Sequence, residues 1–221
     1  MRLPPGYFLP TMTGRPIQDL GGLHIMTAED IPRFAACTAE AYRGYPLFDH
    51  LFGPAYNPSA VETIFSASMR CSRGLLGVSD TAAADAVALF LPPGAKGPST
   101  AGFLAHGGLG LLVSAGLGTV RRLSAYESYC KEVMGRHTDG DTWYLFNLCV
   151  RPECQGKGLS SKVMRPVLEH IGDRGQRCYL ETQKGSNVGL YEHLGFEVAE
   201  KSTVPGSDIS HFAMVWESGR R

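Results

Sequence analysis

The chain has 221 residues, of which 43% are hydrophobic, enough to bury the core of a single domain. Its 21 Lys and Arg residues balance 21 Asp and Glu residues, so the net charge disfavours nucleic acid or an anionic membrane as a partner and favours a small molecule. The six cysteines form no CxxC pair and no His cluster has zinc-ligand spacing, so no metal site is predicted.

The N-terminal part predicts an extension followed by strands and helices. Residues 1–22 are rich in Pro and Gly and contain no continuous apolar run, a pattern that does not indicate a secretory signal and fits a cytoplasmic protein with reduced cysteines. We therefore predict an N-terminal extension over 1–22 and a single domain over 23–221. The first predicted elements are a strand over 23–26, a helix over 27–43 capped by Thr27, an irregular segment over 44–58, a helix over 59–71, and a hairpin of strands over 74–79 and 86–91.

An uncharged stretch follows the hairpin. Residues 97–120 contain no Asp, Glu, Lys or Arg and are long enough to span a bilayer. Seven glycines and several polar side chains make this stretch less apolar than a typical membrane helix. We predict a mobile stretch of loop and short helices packed over a core or a pocket, with a membrane span as the alternative.

The C-terminal part contains the clearest strand. Residues 143–150 carry aromatic and aliphatic side chains on both alternating faces, as expected for a central strand covered on both sides. Apolar side chains at helical spacing predict a helix over 159–171 that Pro166 should kink. The other predicted elements are a helix over 121–134, a strand over 178–182, a short helix over 188–194, and strands over 196–203 and 210–217.

The segment 150–161 joins the central strand to the following helix through a turn with two glycines, Gly156 and Gly158. Free amides in the first helical turn and the helix dipole attract phosphate oxygens, so this segment predicts an anion site. A Walker A loop would need Gly at 151 and Ser or Thr at 158, and a dinucleotide fingerprint would need Gly or Ala at 161. Arg151, Gly158 and Ser161 stand there, so both alternatives fail.

Two short motifs are similar to one known family. Residues 155–160 read Gln-Gly-Lys-Gly-Leu-Ser, which resembles the Gln/Arg-x-x-Gly-x-Gly/Ala signature of the GNAT superfamily of acetyl-CoA-dependent N-acetyltransferases, with Ser160 in place of the last small residue. Asn187, Tyr191 and the Gly195-Phe196 pair resemble the family's second segment. Over 143–216 the chain is most similar to puromycin N-acetyltransferases.

This resemblance implies a fold and a cofactor site. The implied fold is α/β, with a mixed, largely antiparallel sheet of six to seven strands, flanking helices and a splayed central strand pair. Backbone groups at the end of the central strand would bind the pantetheine arm of acetyl-CoA, and the glycine turn would bind its pyrophosphate. The implied cofactor contacts are Leu148, Cys149, Val150, Gln155, Gly156, Lys157, Gly158, Leu159, Ser160, Ser161, Asn187 and Tyr191.

The resemblance also implies catalytic roles. Tyr191 would protonate the departing thiolate, whereas its alternative role is packing in a short amphipathic helix. An attacking amine must be neutral, so a base is needed. Glu181 is the first candidate base, although it could be a structural carboxylate; Asp49, His106, and Asn147 acting through water, are the others.

The implied reaction is direct transfer of an acetyl group from acetyl-CoA to a primary amine of a small molecule, in a ternary complex. Two alternatives remain open at this point: acetylation of a peptide N-terminus or lysine, and a non-catalytic acyl-CoA-binding sensor domain. Because a fold does not fix a function, the identity of the acceptor amine is not predicted.

Overall fold

A computed structural model describes residues 11–12, 15–16, 20–53 and 56–219 of the chain. Most of the predicted extension, residues 1–22, lies outside the described residues, apart from a two-stranded antiparallel pair, Thr11–Met12 with Arg15–Pro16, and residues 20–22. Leu20 is buried in the larger hydrophobic core.

The centre of the fold is a seven-stranded sheet. Its strands are β1 (His24–Ile25), β2 (Leu76–Ser79), β3 (Ala86–Leu91), β4 (Thr142–Val150), β5 (Arg177–Thr182), β6 (Phe196–Thr203) and β7 (Ser210–Glu217). They lie in the order β1-β2-β3-β4-β5-β7-β6, and every neighbouring pair is antiparallel except β4 with β5. The predicted mixed, largely antiparallel sheet is therefore confirmed, with β4 at its centre.

Helices flank both faces of this sheet. They are α1 (Ile31–Ala41), α2 (Pro46–Phe52), α3 (Pro58–Cys71), α4 (Thr100–Phe103), α5 (Leu109–His137), α6 (Leu159–Gly172) and α7 (Val188–His193). Short 3₁₀ turns at Ala28–Asp30, Pro152–Cys154 and Gly185–Asn187 precede α1, the glycine turn and α7. Helix α6 continues across Pro166.

The alternation of side chains along the strands produces two cores, one on each face of the sheet. On one face α6 and α7 pack over residues such as Trp143, Leu145 and Met214. On the other face α1, α2, α3 and α5 pack over residues such as Val87 and Leu89. The sheet therefore separates a layer that contains α6 from a layer that contains α1, α2, α3 and α5.

Two sequence-based expectations are wrong in part. The segment 44–58 was predicted to be irregular, yet it contains α2, because Pro46 fits the first helical turn and Leu47, Phe48 and Leu51 are buried.

The helix predicted over 121–134 begins earlier than expected. It includes residues 117–120, and α5 has a further segment before it that begins at Leu109. These two segments meet at Gly116, whose φ of 79° and ψ of 162° are not helical. Among the described residues, no helix combines the length and apolarity needed to cross a membrane.

Candidate active site

Strands β4 and β5 pair along only part of their length. Residues 142–145 pair in parallel with 177–180, and beyond Leu145 and Leu180 no pairing between the two strands is found in the described part of the chain. On its other side β4 remains paired with β3, with a register shift that leaves Phe146 as an extra residue. The two central strands therefore splay apart at the end of β4, where Leu148, Cys149 and Val150 lie.

The glycine turn lies directly beyond this open edge of β4. Gly156 and Gly158 have φ values of 76° and 75°, in the left-handed region that favours glycine. Helix α6 starts at Leu159, and its first backbone bond runs from Lys162 N to Gly158 O at 3.1 Å.

The amides of residues 156–161 have no hydrogen-bond acceptor among the described residues. A Cβ added at Gly156 or Gly158 would meet nothing within 4 Å, so the surroundings are open. Six free amides at a helix N-terminus provide positive potential and hydrogen-bond donors, which fit a pyrophosphate. The predicted residues Gln155 to Ser161 therefore lie together in a turn whose free amides could bind an anion.

Tyr191 and Asn187 lie on the side of the gap that follows β5. Asn187 Nδ2 is 3.4 Å from Thr182 Oγ1. Tyr191 is buried, its ring packs edge-on against Phe196, and its hydroxyl has no hydrogen-bond partner in the described residues. Burial raises the pKa of Tyr191 well above its usual value, and the nearby Tyr45 and Cys149 raise it further. Within the described residues, a protonated phenol without a hydrogen-bond partner therefore lies near Tyr45 and Cys149, which border the gap.

Two other tyrosines, which follow the C-terminus of α1, form hydrogen bonds to both strands that border the gap. The Tyr42 hydroxyl donates to Asn147 Oδ1 at 2.6 Å, which ties it to β4. The Tyr45 hydroxyl accepts from the amide of Gln183 at 2.9 Å and lies 3.0 Å from Thr182 Oγ1, which ties it to the end of β5. No sequence motif assigned a role to either tyrosine.

Glu181 projects into the layer of α5, and its side chain is only 3% exposed. The Tyr179 hydroxyl donates to Oε1 at 2.8 Å and the Tyr144 hydroxyl to Oε2 at 3.3 Å. Burial raises the pKa of Glu181 to about 7, although hydrogen bonds from Tyr179, Cys130 and Tyr144 act in the opposite direction. This carboxyl group can therefore exchange a proton near neutral pH.

A cavity of about 580 Å³ opens beside Glu181. Its walls come from α2, α3, α5, the loop 91–98 and the gap between β4 and β5. Seven aromatic rings line it: Tyr42, Tyr45, Phe48, Phe65, Tyr126, Tyr144 and Phe146. The cavity is therefore mainly apolar, with the Glu181 carboxyl group in its wall.

Among the four candidate bases, only Glu181 lines this cavity. Asp49 is exposed on α2, and His106 is exposed in the turn before α5, where Nδ1 lies 2.8 Å from Gly102 O. Asn147 is buried, and its amide is occupied by Tyr42 and by the Thr38 hydroxyl, 3.2 Å from Nδ2. Position therefore favours Glu181 over the other three.

Comparison with known proteins finds a family match in the C-terminal part of the chain. Residues 117–196 match the model of the acetyltransferase (GNAT) family. An uncharacterized N-acetyltransferase of Schizosaccharomyces pombe is 34% identical over 61 residues, which make up 28% of this chain and 25% of that protein. The match therefore spans about a quarter of the relative's length.

Solved structures extend the similarity to most of the fold. The polyamine N-acetyltransferase of Drosophila melanogaster has a TM-score of 0.55 at 14% identity, covering 88% of this chain and 99% of that one. A histone acetyltransferase HPA2 and related acetyltransferase from Corynebacterium glutamicum has a TM-score of 0.54 at 17% identity, covering 88% of this chain and 96% of that one. At these identities the comparison establishes the fold, and the resemblance to puromycin N-acetyltransferases stays a prediction.

The raised pKa of Glu181 predicts a pH-dependent stability. The folded-state pKa of about 7 lies above the usual glutamate value of 4.5, so the stability contributed by this group is complete below about pH 4.5 and is lost as the pH rises through 7. Glu181→Gln removes the ionisation. Between pH 4.5 and pH 8 its free energy of unfolding should therefore rise relative to wild type by on the order of 2–3 kcal/mol. Urea unfolding at several pH values measures this difference, and a pH-independent difference would show that Glu181 titrates normally.

Proposed function

We propose that this chain, whose residues 117–196 match the acetyltransferase (GNAT) family model, transfers an acetyl group from acetyl-CoA to a primary amine of a small molecule, by direct attack within a ternary complex. One observation supports this most strongly. The gap between β4 and β5 is followed at the end of β4 by a turn with six free amides, and Phe146 and Glu181, which border the gap, line an apolar cavity in which the Glu181 carboxyl group has a pKa of about 7. A cofactor with a phosphate end and a reactive thioester end needs an anion site and a reaction site placed on the two sides of such a gap.

The residues around the gap fit acetyl-CoA, which supplies the acetyl group as an activated thioester. The amides of 156–161 would bind its pyrophosphate, since donors at a helix N-terminus suit phosphate oxygens. The open edge of β4 at Leu148, Cys149 and Val150 offers backbone groups to the amides of the pantetheine arm. Asn187 offers a further side-chain donor near the end of β5.

Glu181 would act as the general base. An amine attacks only in its neutral form, and a carboxylate with a pKa of about 7 can take the proton at neutral pH. The hydroxyls of Tyr144 and Tyr179 hold both oxygens of this carboxyl group, so it remains oriented as the proton arrives. The carboxylate would also attract an ammonium group into the cavity.

Tyr191 would act as the general acid toward the departing thiolate. Its raised pKa keeps the phenol protonated at neutral and moderately alkaline pH, so it can always donate. Its hydroxyl donates to no described residue, which leaves the proton available. The nearby amide of Val150, at the open edge of β4, could stabilise the developing oxyanion.

The cavity indicates the shape of the acceptor. Aromatic rings favour an amine with an apolar or aromatic body, and they also attract its cationic form. The relative from Drosophila is a polyamine acetyltransferase by name; the aromatic cavity of this chain favours a less polar amine than a polyamine.

A turnover assay with a panel of amines tests this function. Apolar and aromatic primary amines should release free CoA from acetyl-CoA with a higher kcat/KM than polyamines, aminoglycosides or short peptides. The rate should rise as the pH increases through about 7, since Glu181 must be ionised. Glu181→Gln should lower kcat by about 10²–10⁴ fold. Binding of acetyl-CoA without turnover of any amine would instead favour a sensor domain, and a preference for peptides would favour a protein substrate.

The glycine turn supplies a matched pair of variants for cofactor binding. Gly158→Asp places a carboxylate at the N-terminus of α6, where it would repel phosphate, so CoA binding measured by calorimetry should be abolished. Gly175→Asp is the control, because Gly175 is also exposed, has a φ of 64° and has no atom within 4 Å of an added Cβ. Both variants carry similar backbone strain, but only the first should lose CoA. Equal affinities in two folded variants would exclude the glycine turn as the pyrophosphate site.

Tyr191→Phe tests the acid. The variant retains the packing of the ring against Phe196 and loses only the hydroxyl. We expect kcat and kcat/KM to fall together by about 10²–10⁴ fold, with little change in the KM for acetyl-CoA. Since burial raises the pKa of Tyr191, its ionisation should not limit the wild-type rate at moderately alkaline pH. A variant with the wild-type kcat would identify Tyr191 as a packing residue.

A further inference from the structure

Three potential metal ligands that are distant in sequence meet beside the cavity. Cys130 lies on α5, Glu181 on β5 and His211 on β7, and one ligand atom from each lies within 4.8 Å of the others. Cys130 and Glu181 line the cavity, whereas His211 lies behind them, fully buried. No metal site was predicted from closely spaced ligands in the sequence, because these three residues are far apart along the chain and only the sheet and α5 bring them together.

His211 is the unusual member of this cluster. Its side chain has no exposure, and Nε2 has no hydrogen-bond partner within the described residues although it lies 3.8 Å from Glu181 Oε1. A buried nitrogen without a partner is costly, so such groups require an explanation. Imidazole is the commonest metal ligand in proteins, so an unpartnered Nε2 beside a thiol and a carboxyl group suits a bound ion.

We propose that Cys130, Glu181 and His211 form a binding site for a divalent cation of the zinc class. Thiolate, imidazole and carboxylate are the ligands that zinc prefers, at roughly 2.0–2.3 Å. In a tetrahedral site such bonds bring the ligand atoms to within about 3.3–3.8 Å of one another, so small side-chain shifts would close the site. A thiolate and a carboxylate would neutralise the two charges of the ion.

The surrounding residues can support this coordination. Tyr144 and Tyr179 orient the Glu181 carboxylate. Gln183 Nε2 lies 3.2 Å from His211 Nδ1, and the Tyr45 hydroxyl donates to Gln183 Oε1 at 3.3 Å. A flip of this amide would direct Oε1 to an Nδ1–H and free the Nε2 lone pair for the metal. Tyr45 could then accept from the amide and still donate to Thr182, 3.0 Å away.

Binding would change the chemistry of the cavity. The Cys130 thiol would lose its proton to solvent as the metal–sulfur bond forms, and a fourth coordination position would remain for water or an amine. This further consequence rests on the proposed function: Glu181 bound to a metal could no longer serve as the base, so zinc should inhibit acetyl transfer.

Metal titration of the chelator-treated protein tests the site without any assay of activity. Calorimetry with Zn²⁺ should give one ion per chain with proton release, and Co²⁺ should give a thiolate-to-metal charge-transfer absorption band. Cys130→Ser and His211→Asn should each weaken binding by on the order of 10² fold or more, and Gln183→Leu by about 10–100 fold. Cys71→Ser, which alters a cysteine on α3 outside the cluster, is the matched control and should bind like wild type.

Stability measurements distinguish a variant that has lost the metal site from one that does not fold. Zn²⁺ should raise the wild-type Tm, and this rise should be absent in folded Cys130→Ser and His211→Asn. A wild-type protein that binds neither ion, or binding that both variants retain, would overturn the proposal. If metal binding is seen but no amine is acetylated, the metal site stands and the proposed function fails. If acetylation is seen and zinc does not bind, the proposed function stands and the metal site fails.

Discussion

The end of the parallel pairing between β4 and β5 is the constraint on which the rest of the site depends. Four residues of each strand pair, and then the strands separate while β4 remains bonded to β3. Backbone groups inside a protein need partners, so an opening in the middle of a sheet is costly unless something else occupies it. Here the opening lies between the free amides of 156–161 and the aromatic cavity.

Tyr42 and Tyr45 stabilise this opening. Their ring centroids are 4.9 Å apart, and one hydroxyl bonds to β4 while the other bonds to the end of β5. Because α2 begins directly after Tyr45, the same two residues also fix where the wall of the cavity starts. The separation of the strands, the position of α2 and the shape of the cavity are therefore coupled.

Local patterns in the sequence predicted the elements around the glycine turn better than those around the cavity. The strand at 143–150, the glycine turn and α6 are contiguous, so hydrophobic periodicity and two glycines sufficed to predict them. The environment of Glu181 depends on Cys130 and Tyr144 as well as on the nearby Tyr179, and no local pattern predicts contacts with Cys130 or Tyr144, which are far from Glu181 in the sequence. In α2, burial of Leu47, Phe48 and Leu51 outweighs the neighbouring Pro and Gly residues that indicated irregular structure.

The two cores on opposite faces of the sheet have a consequence for how such a protein can diversify. Residues of α6 contact the face that includes Trp143 and Leu145, whereas α1, α2 and α3 contact the other face. A change of side-chain packing on one face therefore has no direct contact with the other face, because the hydrogen-bonded backbone of the sheet lies between them. Mutations in α2 and α3 can therefore change the shape of the cavity while the glycine turn keeps its geometry, so under the proposed function the acceptor specificity can evolve independently of the binding of acetyl-CoA.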